Sequence, residues 1–164
     1  MQVERRRVLV AGIGNVFATD DGVGCEAVRR LSALDWPDGV RVVDYGIRGM
    51  HLAYDLLDPW QALVMVDALP DRGAVGGVTV LEIGAEHVGR GSGVDAHGVD
   101  PATVLATLTA LGGRLPPSTV LVGCQVADTG EGMGLTPPVE AAVVELVSAV
   151  RAVVGRVLRT AEVV

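Results

Sequence analysis

The sequence predicts an α/β fold: a single three-layer domain over residues 1–164, built on a five-stranded, mostly parallel sheet with one antiparallel strand and helices on both faces. Three observations carry this reading. Five short apolar runs alternate with helical patterns, as strands buried on both faces do. The first run closes in Gly12-Ile13-Gly14, a sharp turn at a strand's carboxyl end. A chain of 164 residues that is 49% hydrophobic can bury a substantial core.

The strands are expected at Val8 to Ile13, Val40 to Val43, Ala62 to Val66, Val78 to Ile83 and Thr119 to Val122. After the first, Val23, Ala27, Leu31 and Leu34 recur at helical spacing until Trp36-Pro37-Asp38-Gly39 ends the element. Leu52, Leu56 and Leu57 mark a short second helix stopped before Pro59. Only Pro70 to Gly77 separates the third and fourth strands, too little for a crossover helix, so that pair is expected to be antiparallel. Gly84 to Val99 has five glycines and no apolar period, the composition of a mobile loop. Asp100 and Pro101 then suit the cap and first position of a helix carrying Val104, Leu105, Leu108 and Leu111. The last helix opens at Thr136-Pro137-Pro138-Val139-Glu140 in the manner of a capping box. Its apolar stripe is Val139, Val143, Leu146, Val150, Val154 and Val157.

Composition excludes several function classes. A formal net charge of −7 and only five aromatic residues argue against a nucleic-acid partner. All 13 basic residues are arginine, which excludes Schiff-base chemistry on a lysine. Arg5-Arg6-Arg7 ahead of an apolar stretch imitates a signal peptide, but Asn15, Asp20 and Asp21 break the stretch. The apolar region from Ala141 to Val154 is interrupted by Glu145 and Arg151, so no membrane insertion is expected and the protein reads as cytoplasmic. Cys25 and Cys124 fit no zinc or redox spacing.

Chemistry-bearing residues stand where apolar elements stop. Asp21 follows the first strand, Asp67 follows the third, and His97 precedes the Asp100 cap. With the first and third strands as parallel neighbours, Asp21 and Asp67 meet at the carboxyl edge of the sheet, where such sheets bind ligands. Two carboxylates and an imidazole make an open O,O,N set suited to zinc, nickel or another transition metal. Each residue also has a plainer use: Asp21 as a helix N-cap, Asp67 as an acid bonding loop amides, His97 as a solvated loop histidine. His51, within the short helix, and His87, in the glycine-rich loop, are left outside the site. Asp44 ends the second strand where a dinucleotide enzyme keeps its ribose acid. However, Phe17 occupies the position at which the Gly-x-Gly fingerprint requires a third small residue. Asp44 then serves to order the turn Gly46-Ile47-Arg48-Gly49, and no nucleotide cofactor is expected.

Several blocks, in order, resemble the hydrogenase maturation endopeptidases. They are Gly12-Ile13-Gly14-Asn15, Thr19-Asp20-Asp21-Gly22-Val23-Gly24, Asp44-Tyr45-Gly46 with Gly49-Met50, Val66-Asp67-Ala68, His97-Gly98, and Gly134-Leu135-Thr136 leading into Val139-Glu140. The resemblance covers nearly the whole chain. It implies an endopeptidase that removes a C-terminal extension from a nickel–iron hydrogenase large-subunit precursor after nickel insertion. It also implies that Asp21, Asp67 and His97 are the metal-contacting and catalytic residues, with the nickel supplied inside the precursor. Two features depart from the family pattern. Some members carry Glu where this chain has Asp21, and relatives often have Gly-Gly-Thr where it has Tyr45-Gly46-Ile47-Arg48. The competing expectations are a small nucleotide-binding module, favoured by Gly12-x-Gly14 and Asp44, and a metallochaperone using the same three ligands without cleavage.

Overall fold

β1 (Val8–Ile13) is six consecutive buried residues, the pattern of a central strand covered on both sides. The computed structural model describes residues 7–84 and 101–160. Within them β1 is followed by a 3-10 turn (Thr19–Gly22), α1 (Val23–Ser32), β2 (Val40–Gly46), α2 (Gly49–Asp55), β3 (Ala62–Leu69), β4 (Val78–Glu82), α3 (Pro101–Ala110), β5 (Ser118–Gln125) and α4 (Pro137–Thr160). The strands form one five-stranded sheet in the order β2-β1-β3-β5-β4. The first three pairs are parallel, and β1 and β3 are neighbours as expected.

One expected pairing is corrected. β4 does run opposite to β3, but it pairs antiparallel with β5, which lies between them. The turn over residues 70–77 carries the chain past a position that β5 fills after α3. The strands also run further than their apolar cores: β2 continues through Asp44 to Gly46, and β3 through Asp67 to Leu69. Backbone pairing does not stop where hydrophobicity does.

Strand alternation sorts the core by residue type. Val8, Val10, Val64, Val66, Val120 and Val122 face α1 and α4. Leu9, Leu63, Met65 and Leu121 face α2 and α3 with Leu52, Leu56, Val104 and Leu108. The six residues of the predicted α4 stripe are all buried. Leu34 and Leu111 lie beyond the ends of α1 and α3 and are exposed. Among the described residues, no helix is long and apolar enough to cross a membrane. Most of the predicted loop from Gly84 to Val99, with His87, Asp95 and His97, and the Asp100 cap, lies outside the described residues.

Candidate functional site

The carboxyl ends of β1, β2 and β3 lie side by side, with Gly12 in register between Asp44 on one neighbour and Val66 on the other. This places Asp44 at the end of β2 and Asp67, one residue past Val66, on either flank of the loop that leaves β1. Two glycines let that loop close down onto the strands. Gly14 has φ +147°, and a Cβ there would stand 2.1 Å from the Asp21 carbonyl oxygen. A Cβ on Gly24 would stand 2.2 Å from the Val66 carbonyl oxygen and 2.5 Å from that of Ile13. The close helix-to-strand approach that Phe17 cannot supply is therefore made at Gly24, in the first turn of α1.

Asp21 is half-buried, and its Oδ2 accepts the Asn15 N–H at 2.8 Å. It does not cap α1, whose N-cap is Gly22 with no side-chain hydrogen bond. Its loop is fastened from outside. Ala18 forms a parallel bridge with Gly132 of the β5–α4 loop, Thr19 N–H donates to the Gly132 carbonyl at 2.9 Å, and Gly132 N–H donates to the Phe17 carbonyl at 2.9 Å. Thr19 sits at φ 51°, the one non-glycine residue with positive φ among those described. Its hydroxyl, donating to the Gly130 carbonyl at 2.7 Å, helps hold that unfavourable conformation.

The neighbouring acid has a different role. Asp20 is fully buried. Its Oδ1 accepts Thr136 N–H at 2.7 Å, its Oδ2 accepts Ala127 N–H at 3.2 Å and Asp128 N–H at 3.1 Å, and the Thr136 hydroxyl lies within 2.9 Å of both oxygens. Burial by itself would raise this carboxyl. The donors from Thr136, Asp128 and Ala127 outweigh it and hold the group below its ordinary value. This corrects the expected capping box at the start of α4: the Thr136 hydroxyl is turned to Asp20, and Glu140 pairs with Arg30 on α1 at 2.8 Å.

Asp67 is half-buried at the end of β3 and accepts the Ala68 N–H at 2.7 Å. Asp44 is exposed; its Oδ1 accepts the Gly46 N–H at 3.0 Å, ordering the turn as expected. The Arg48 guanidinium donates to the backbone carbonyls of Asp44 and Tyr45 rather than to a carboxylate. His51 is exposed on α2, beside Tyr45 and Arg48.

Cys25 reports how these acids converge. Burial, then the Asp44 carboxylate, then those of Asp67 and Asp21 push its thiol up to about 12. Asp44 and Asp67, at the ends of β2 and β3, and Asp21, in the 3-10 turn after β1, thus all act on one thiol, which stays protonated and donates to the Gly14 carbonyl at 3.5 Å. A thiol so far above neutrality is a wall, not a nucleophile. The structure therefore brings Asp21 and Asp67 to one edge, adds Asp44, and leaves His97 outside the described residues. Among the described residues no group of three or more His, Cys, Asp and Glu side chains is arranged to hold a metal ion. Asp44 was legible as a strand-end acid. Its nearness to Asp21 required the β1–β2 register.

Known proteins resemble this chain along most of its length. The family model for hydrogenase maturation proteases matches residues 25–153. The hydrogenase 2 maturation protease of Escherichia coli is 33% identical over 82% of this chain and 82% of its own. The hydrogenase expression/formation protein HupD of Bradyrhizobium diazoefficiens is 35% identical over 81% of this chain and 70% of its own. Among solved structures, the hydrogenase maturating endopeptidase HybD of E. coli superposes with a TM-score of 0.76 at 29% identity, covering 92% of this chain and 93% of that one.

Proposed function

The chain belongs to the hydrogenase maturation protease family, and on that premise we propose that it removes the C-terminal extension of a nickel–iron hydrogenase large-subunit precursor after nickel insertion. It is a peptidase. The finer reading is that nickel already bound in the precursor is the recognition signal, contacted by Asp21, Asp67 and His97, and that the reaction takes place in the cytoplasm. The observation that supports it is the strand register, which sets Asp44 and Asp67 on either flank of the loop carrying Asp21, at the carboxyl edge of the sheet. Carboxylate oxygens at such an edge are donors that a cation accepts.

The precursor's nickel supplies a Lewis-acid centre beside the scissile peptide. Asp21, from the 3-10 turn after β1, and Asp67, from β3, would contribute oxygen donors, and His97 a nitrogen. Asn15 N–H fixes one Asp21 oxygen, leaving the other for the cation. Asp44, the more exposed acid at the same edge, would take a proton from the attacking water.

The test offers purified protease two precursors, nickel-loaded and nickel-free, with free metal held low by a chelator that does not strip the loaded site. Cleavage confined to the loaded precursor is expected. Equal cleavage of both would overturn nickel recognition, and cleavage of neither would overturn the proposed reaction. A metallochaperone would instead transfer nickel and leave the precursor intact.

A further inference from the structure

The most exposed apolar side chains among the described residues concentrate at one edge of the sheet. Among the described residues, the five most exposed large hydrophobics are Met133 at 74%, Val144 at 69%, Phe17 at 65%, Ile47 at 64% and Met50 at 61%. Four of these five stand beyond the carboxyl ends of β5, β1 and β2, around the acids. Val144 alone lies elsewhere, on α4. Phe17 is the only phenylalanine in the chain, and an aromatic ring left in water next to an acidic site needs a reason.

The backbone beneath these side chains is fixed. Gly132 N–H to the Phe17 carbonyl and Thr19 N–H to the Gly132 carbonyl stitch the Phe17 loop to the Met133 loop. Gly14 N–H donates to the Gly46 carbonyl at 3.1 Å, tying the Ile47 turn to the same opening loop. The set is therefore presented on a prepared surface, which lowers the ordering cost of docking. Through Met133 it also reaches Asp44: one groove is lined by Met133, Val16 and Leu135 together with Cys25 and Asp44.

We propose that Phe17, Met133, Ile47 and Met50 form an apolar docking rim around the carboxylates, receiving an uncharged, apolar segment of the precursor that flanks the peptide bond to be cut. The inference rests on the proposed function and names how the substrate is held there. Charge favours this occupant. The chain carries a net −7, yet the four rim residues are neutral, and nearby Arg48 has its guanidinium on backbone carbonyls. An acidic segment would meet the carboxylates, and a charged segment of either sign would leave the four apolar side chains of the rim uncovered. Aromatic and methionine side chains are the types enriched at protein interfaces. Once covered, the rim also excludes water from the cation and the acids, which strengthens their interaction.

The test measures steady-state cleavage of nickel-loaded precursor by Phe17→Ser, Met133→Ser and Ile47→Ser, with Val144→Ser as the control for loss of an equally exposed apolar side chain. Each rim variant is expected to raise KM about tenfold and leave kcat within about twofold, as loss of interface anchors does. Val144→Ser is expected to match wild type, and Phe17→Leu to recover most of the loss. The same rim substitutions are also placed in an Asp67→Asn background, where precursor affinity is read by calorimetry without turnover. If wild type cleaves the precursor while the rim variants keep its KM and affinity, the rim is overturned and the proposed function stands. If wild type cleaves nothing, the proposed function falls, and unchanged affinity in the calorimetric arm overturns the rim independently. An equal loss in Val144→Ser would also overturn it.

Discussion

Asp20 and Asp21 are consecutive and chemically identical, yet the fold uses them in opposite ways. Asp20 turns into the protein, is fully buried, and takes hydrogen bonds from Ala127, Asp128 and Thr136. Asp21 turns to the carboxyl edge and, among the described residues, accepts one N–H, from Asn15. A buried charge is tolerable only when its lone pairs are answered, and such a group then holds structure together. A half-buried carboxylate at the edge of the sheet, answered by a single backbone N–H, needs no such set of donors. The contrast teaches that in an acid pair the number of fixed donors, more than residue type or position in the chain, separates scaffold from site.

The largest expected effects lie on the site side. Asp67→Asn and His97→Ala should each lower precursor cleavage on the order of a hundredfold or more, with unfolding free energy changed by less than about 1 kcal/mol. A cleavage assay beside circular dichroism checks both halves, and a collapse of the fold in Asp67→Asn would move that residue to the scaffold.

On the scaffold side, Asp20→Asn should cost about 2–4 kcal/mol, read from the urea midpoint, because an amide NH2 would face the Ala127 and Asp128 donors. The pH dependence has a definite sign. The Asp20 carboxyl is held below its ordinary 3.8 in the folded protein, so its stabilisation is complete above that pH and is lost as pH falls through the lower folded value. Acid titration of stability should therefore be steeper below about pH 4 for wild type than for Asp20→Asn.

The smallest effect concerns the thiols. Cys25, pushed up to about 12 chiefly by burial, and Cys124, raised to about 11 by burial and then by Asp20, are both enclosed. Neither should react with a thiol reagent at pH 8 until denaturant is added, and rapid labelling of the native protein would show that the floor of the site opens.

Much of this was legible from residue patterns. The β1 run, the α4 stripe and the Asp21 and Asp67 positions all follow from periodicity and from the rule that ligands gather at strand carboxyl ends. Asp20 was not legible, because its partners are contributed by a loop more than a hundred residues away and nothing local distinguishes it from Asp21. The pairing of β4 was hidden for a similar reason: a short turn fixes strand direction but not which strand later occupies the space between. Thr136 misled because a threonine before a helix usually turns its hydroxyl to the helix N–H groups, whereas here a buried carboxylate takes it.

The most direct measurement is the cleavage rate of nickel-loaded precursor by Asp21→Asn, taken beside its urea midpoint and those of wild type and Asp20→Asn. The expected result is a wild-type midpoint with cleavage slowed on the order of a hundredfold or more, while Asp20→Asn shows a clearly lowered midpoint. Wild-type cleavage by folded Asp21→Asn, or an unchanged midpoint in Asp20→Asn, would contradict the division of labour between the two acids.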